Sequence, residues 1–239
     1  MSRLERPEAH SVPSRFVRTA RWHVRRTRNW FAQRFLGLPR IRTLPDFPER
    51  VLRVHRGWID GRRQQAILSY SWSGRVLDVG CGRGYVSSLV AAAHSPSLIV
   101  GLEPSFKLAR TSLSLAALNR ATRFLPVQGT GSVIPFSSRS FDWILVSEVL
   151  EHTYEPLDIL KECARVLRPA GRALLTVPSY GALPPGGPVA GHVQDFQPAA
   201  FIDLVKKAGL QVVQRRTVAI FEFYLLTQAQ GPRSPLSVA

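Results

Sequence analysis

Val76-Leu77-Asp78-Val79-Gly80-Cys81-Gly82-Arg83-Gly84-Tyr85 is the stretch around which this chain is organised. Apolar residues flank Asp78, which places it near the carboxyl end of a buried parallel strand, and a glycine-rich turn follows at once. Gly80, Gly82 and Gly84 let the backbone turn sharply and approach a ligand with no Cβ in the way. Behind them Tyr85-Val86-Ser87-Ser88-Leu89-Val90-Ala91-Ala92-Ala93 carries apolar residues at helical spacing. A dinucleotide fingerprint G-x-G-x-x-G needs its third glycine at position 85, and that position is Tyr85. The pattern is instead an acid two residues ahead of G-x-G-x-G, set in a strand–turn–helix unit.

The 239 residues suit one α/β domain plus an appendage, and 45% hydrophobic residues are enough for a real core. No run approaches the ~20 apolar residues of a membrane span, and no secretory signal opens the chain. Cys81 and Cys163 are too few for a disulfide framework or a zinc site, which fits a reducing, cytoplasmic compartment. The net charge of +16 is uneven, because residues 1–63 hold half of the 32 lysines and arginines. Within residues 14–38, Phe16, Ala20, Val24, Thr27, Phe31, Phe35 and Leu38 recur at three- and four-residue spacing among arginines. That is the pattern of a basic amphipathic helix with aromatic anchors. Such a helix suits an anionic membrane surface, nucleic-acid phosphates or a lid on the domain. We divide the chain into this arm (1–43), a linker and covering helix (44–71), the main domain (72–228) and a loose tail (229–239).

From Arg75 onward, strand and helix alternate. The pattern predicts strands over Arg75–Val79, Ser97–Glu103, Arg123–Val127, Phe141–Ser147 and Arg172–Val177. It predicts helices over Tyr85–Ala93, Ser105–Asn119, Pro156–Leu167 (stopped by Pro169 and Gly171) and Pro198–Ala208, the last with Gly209 at its C-cap. Leu210–Arg215 and Ala219–Thr227 form a closing strand pair, and Val51–Tyr70 reads as a further helix before the domain. Alternation of this kind implies an α/β fold, a Rossmann-like, doubly wound, seven-stranded and mostly parallel sheet.

The acid–GxGxG turn resembles motif I of the class I S-adenosylmethionine-dependent methyltransferases. Three later segments extend the likeness. Val100-Gly101-Leu102-Glu103-Pro104 ends the second strand in an acid 25 residues after Asp78. Gly129-Thr130-Gly131-Ser132-Val133-Ile134-Pro135-Phe136 resembles a motif that usually carries aspartate where Thr130 stands. Glu148-Val149-Leu150-Glu151-His152 resembles the Methyltransferase-11 group, with the ubiquinone-type O-methyltransferases nearest. The resemblance covers roughly residues 72–228 and implies S-adenosyl-L-methionine as cofactor. The binding set it implies is Asp78, Gly80, Cys81, Gly82, Gly84, Glu103, Pro104, Thr130, Gly131 and Ser147. In that set Glu103 is suited to the ribose hydroxyls, Asp78 to the ammonium group, and Thr130 to the adenine amino group, with a shorter reach than aspartate.

Methyl transfer also needs the acceptor's proton removed. His152 is one candidate base, with loop bracing as its alternative role. His192, in Gly191-His192-Val193-Gln194-Asp195-Phe196, is a second candidate on the expected acceptor side. Glu148, Glu151 and His152 also have ligand types suited to a divalent ion, although no metal belongs to the expected site set. Ser147-Glu148-Val149-Leu150 lacks the Asn/Asp-Pro-Pro-aromatic run of amino-directed nucleic-acid methyltransferases. The expected partner is therefore a small-molecule or lipid-linked acceptor, with an anionic membrane as a further partner of the arm. An RNA-associated methyltransferase or RNA-binding protein, and a catalytically silent relative hinted at by Thr130, are the competing readings.

Overall fold

A computed structural model describes residues 49–118, 123–182 and 191–229. The chain divides into residues 1–48 and residues 49–239. The basic arm, the first part of the linker and nearly all of the tail lie outside the described residues. The helix preceding the domain, α1, runs from Glu49 to Leu68. Then follow β1 (Arg75–Val79), α2 (Tyr85–His94), β2 (Leu98–Glu103), α3 (Phe106–Leu118), β3 (Phe124–Gln128) and β4 (Phe141–Ser147). A single 3-10 turn at Leu150–His152 leads to α4 (Pro156–Val166), β5 (Leu167–Pro178), α5 (Pro198–Lys207), β6 (Leu210–Val218) and β7 (Phe221–Gln228).

The seven strands lie in the order β3-β2-β1-β4-β5-β7-β6. β1 to β5 pair in parallel, and β7 pairs antiparallel with both β5 and β6. Strand order reverses between β1 and β4, which opens a crevice beyond their carboxyl ends. Side chains alternate across the sheet as a strand's twofold period requires. Leu77 and Val79 join the core with Ile159, Leu160, Phe201 and Val205 of α4 and α5. Asp78 points the other way and meets Ser87 of α2. The sheet is therefore covered on both faces, which is why its strands read as nearly continuous apolar runs.

Two expectations change. Arg168–Gly171 is not a break between helix and strand but a bulge inside a longer β5. Phe141 pairs with Leu167, and Trp143 pairs next with Arg172, so the residues between loop out of register. A central strand tolerates proline only where it gives up a ladder hydrogen bond, and the bulge holds Pro169 there. The second change concerns Trp58 of the covering helix, a large apolar residue whose expected role is packing in the core. It is 56% exposed, because α1 buries Ile59, Ala66 and Ile67 instead.

Candidate cofactor and methyl-transfer site

The turn after β1 is held by the neighbouring strand. The amides of Gly80 and Cys81 both donate to the Leu102 carbonyl, at 2.7 and 3.1 Å. The Gly82 amide donates to one oxygen of Glu103 (3.0 Å) and the Ser105 amide to the other (3.0 Å). Glu103 is thus fixed at the tip of β2 by two backbone donors, each engaging one of its oxygens. Each carboxylate oxygen keeps further lone-pair capacity for a ligand hydroxyl. Gly82 has φ +55 and nothing within 4 Å of where a Cβ would stand, so the space above the turn is open. Gly84 differs: a Cβ there would stand 2.7 Å from Ser112 Cβ and 3.0 Å from the Phe124 ring, so it lets α2 close onto α3 and β3.

Asp78 is buried and accepts a hydrogen bond from Ser87 Oγ. Burial pushes its carboxyl from 3.8 up to about 7; the Ser87 bond pulls down, and the Glu103 charge adds a further rise. Cys81 packs its sulfur towards Gly101, and burial together with Asp78 and Glu103 drives its thiol upward, so it stays protonated. Cys163 is fully buried in the core and is held protonated by the same cause. Both thiols are thus held in the less nucleophilic protonated form.

Thr130 is exposed, bridges to Val133 and lies 3.4 Å from Ser132 Oγ, which keeps the loop turned back on itself. Gly131 sits over Val79 and Ile159, and the Pro104 carbonyl accepts from Gln128 Nε2. Ser147 Oγ lies 2.9 Å from Thr176 Oγ1, whose hydroxyl donates to Glu148 Oε1 at 2.9 Å. Glu148 has φ +57, a left-handed conformation that costs a non-glycine residue about 1–2 kcal/mol. Strain of this kind tends to collect at functional sites.

The loop after β4 gathers the remaining chemistry. Glu151 is 1% exposed, and neither of its oxygens has a hydrogen-bond partner among the described residues. His152 Nδ1 lies 2.9 Å from the Gly191 carbonyl, which can only accept, so Nδ1 carries a proton; in the neutral imidazole that leaves the lone pair on Nε2. That Nε2 is 4.0 Å from Glu151 Oε1, and the His152 ring meets the His192 ring edge-on at 4.7 Å. His152 is exposed, whereas His192 is buried. Ligating atoms of Glu151, His152 and His192 lie within 4.8 Å of one another, close enough to share a metal ion. Glu148 is engaged with Thr176 instead, so the set brought together differs from the Glu148, Glu151 and His152 trio.

Sequence reasoning missed Arg63. This residue of α1 is mostly buried and lies 3.9 Å from Glu148, 3.3 Å from Asp60 and over the Phe221 ring. Burial raises the carboxyls of Glu148 and Glu151, Glu151 raises Glu148 further, and Arg63 pulls both back. No local motif signals an arginine whose partners lie in the loop after β4 and at the start of β7.

Fold and site together have the features of a class I methyltransferase domain: an acid–GxGxG turn and a second acid facing the switch point of the 3-2-1-4-5-7-6 sheet. Residues 77–175 match the family described as a methyltransferase domain, Methyltransferase-11. The chain is 33% identical to a ubiquinone biosynthesis O-methyltransferase of Paracidovorax citrulli, over 48% of this chain and 45% of that protein. It is 28% identical to a probable S-adenosylmethionine-dependent methyltransferase of Mycolicibacterium smegmatis, over 74% and 66%. It spans about half the length of the first of these relatives and about two thirds of the second. Among solved structures, a Haloferax volcanii complex of the Trm112 methyltransferase activator with a methyltransferase aligns with TM-score 0.64 and 16% identity, over 74% of this chain and 91% of that one. The family implies S-adenosyl-L-methionine as cofactor. The open space at Gly82 and the anchored Glu103 fit its ribose and amino-acid portions.

Proposed function

We propose that this protein is an S-adenosyl-L-methionine-dependent methyltransferase that methylates a hydroxyl of a small-molecule or lipid-linked acceptor. The observation that carries the reading is the Glu103 carboxylate, held by the Gly82 and Ser105 amides beside the open face of Gly82. When bound, the cofactor supplies a methyl group on a positively charged sulfur. The chain must then align, exclude water and accept a proton. Glu103 accepts hydrogen bonds from ribose hydroxyls, Gly82 leaves the backbone approachable, and Asp78 faces the turn. His152 Nε2, with Nδ1–H donated to Gly191, is oriented to take the proton of an acceptor hydroxyl. His192 is the second candidate base and packs against the His152 ring. The ubiquinone O-methyltransferase relatives support an oxygen acceptor, and the basic segment 14–38 supports an anionic membrane as a second partner.

Two measurements test this. Calorimetry should give S-adenosylhomocysteine binding and hardly any NAD binding; tight NAD binding with no response to S-adenosylhomocysteine overturns it. Labelled methyl transfer from the cofactor into lysate fractions should identify the acceptor, and label confined to RNase-sensitive material would redirect the reading to RNA.

A further inference from the structure

The amino-terminal ends of β1, β2, β4 and β5, opposite the crevice, border a second open groove of about 760 Å³. It is lined by Ser71, Ser73, Arg75, Ser97, Arg168 and Arg172, with Asp142 and Trp143 also on its wall. Three guanidiniums therefore face one carboxylate. That carboxylate is already spent: one oxygen accepts the Arg75 amide at 2.8 Å, the other the Arg168 guanidinium at 2.6 Å. These two donors hold Asp142 below the usual carboxylate range despite the opposing effect of its burial. Arg75 lies over the Phe141 ring at 5.5 Å and Arg172 over Trp143 at 5.8 Å. Neither side chain has an ion-pair partner within 4.0 Å among the described residues. Their guanidinium groups rest over aromatic rings, so less side-chain freedom is lost when they bind an anion.

We propose that this groove binds a small phosphoanion, the phosphate group of a phosphomonoester or diphosphate, at a site separate from methyl transfer. The guanidinium fork matches phosphate oxygens in pairs. The groove volume is that of a small-molecule site, typically ~300–1,000 Å³. Exposed serine hydroxyls at positions 71, 73 and 97 add donors around the charge. A single nucleic-acid strand fits less well. It needs open aromatic faces for stacking, and here Trp143 is 5% exposed and Phe141 is fully buried.

The test is an amide-shift titration of the full-length chain with inorganic pyrophosphate at physiological salt, backed by calorimetry. We expect saturable shifts centred on Ser71, Arg75, Ser97 and Arg172. Arg75→Gln with Arg172→Gln should weaken binding at least about tenfold, as expected for lost charge-assisted hydrogen bonds. Lys107→Gln with Arg110→Gln removes equal charge on α3, outside the residues that line the groove, and should change affinity less than about twofold, since exposed charges beyond a Debye length are screened. S-adenosylhomocysteine affinity should be unchanged in both double variants. If the first double variant does not fold, Arg172→Gln alone, at an exposed side chain, must still weaken binding. Shifts scattered over surface arginines, equal losses in both double variants, or no saturation would overturn the proposal. So would a short oligouridylate that occupies the same residues more tightly than pyrophosphate, which would make the groove a nucleic-acid site.

Discussion

Replacing Gly82 with valine would put two methyl groups into the open space beside Glu103, on a backbone that already sits at φ +55. The conformation costs about 1–2 kcal/mol and leaves the sheet folded, but S-adenosylhomocysteine binding should vanish in calorimetry. Glu103→Ala should weaken that binding by about 1.5–3 kcal/mol, the range for hydrogen bonds to a charged group. Asp78 makes a separate prediction about pH. Its carboxyl is raised from 3.8 to about 7, so the folded protein holds this proton more tightly than the unfolded chain. Its contribution to stability therefore falls as pH rises from about 4 to about 7, and the penalty persists above that. Ligand-free Asp78→Asn should melt above the parent by about 3 °C or more at pH 8, with a much smaller gain near pH 4. An equal gain at both pH values would mean that the carboxyl is not perturbed. With an acceptor in hand, His152→Gln should lower turnover by ~10²–10⁴-fold while cofactor affinity holds, and His192→Gln should also lower stability because that ring is buried. A loss under about tenfold for both would make them structural residues, since general-base assistance is normally larger.

At the scale of elements, the α2 start depends on close approach. Gly84→Ala would set a methyl group against Ser112 and Phe124, so α2 must move away from α3 and β3. We expect a loss of about 1–3 kcal/mol in denaturant unfolding, the range for overpacking a filled contact. Gly82→Ala, with nothing within 4 Å, should lose less. Element identity was readable because period and punctuation agreed: Pro156 and Pro198 open helices, and Gly209 at φ +78 follows α5. The bulge in β5 was not readable. Pro169 and Gly171 stop a helix and mark a strand bulge equally well, and only the pairing with β4 decides between them.

At the scale of the whole molecule the prediction concerns the basic arm, whose arginines flank an apolar stripe. Each arginine near an anionic bilayer adds about 1 kcal/mol, and the Phe16, Val24, Phe31 and Phe35 stripe would bury apolar area in the interface. Deleting residues 1–43 should therefore leave S-adenosylhomocysteine binding intact and abolish sedimentation with anionic vesicles. A full-length protein that ignores vesicles, paired with a truncation that loses cofactor binding, would assign the arm to the cofactor site. Among the described residues, no helix is long and apolar enough to cross a membrane.

The sequence by itself determined the parts of the site that lie within a few residues of a strand end. Asp78, the three glycines and Glu103 are legible because a buried strand, a turn and an acid at the next strand tip are local patterns. Tertiary structure alone decided which distant groups meet. His152 and His192 are 40 residues apart yet touch edge-on, and Arg63 of α1 reaches Glu148 beyond β4. The arginines at positions 75, 168 and 172 share one groove because parallel strands bring their amino ends to the same edge. Periodicity records which face a residue presents to its own neighbours, whereas the order of strands in the sheet sets what lies across from it.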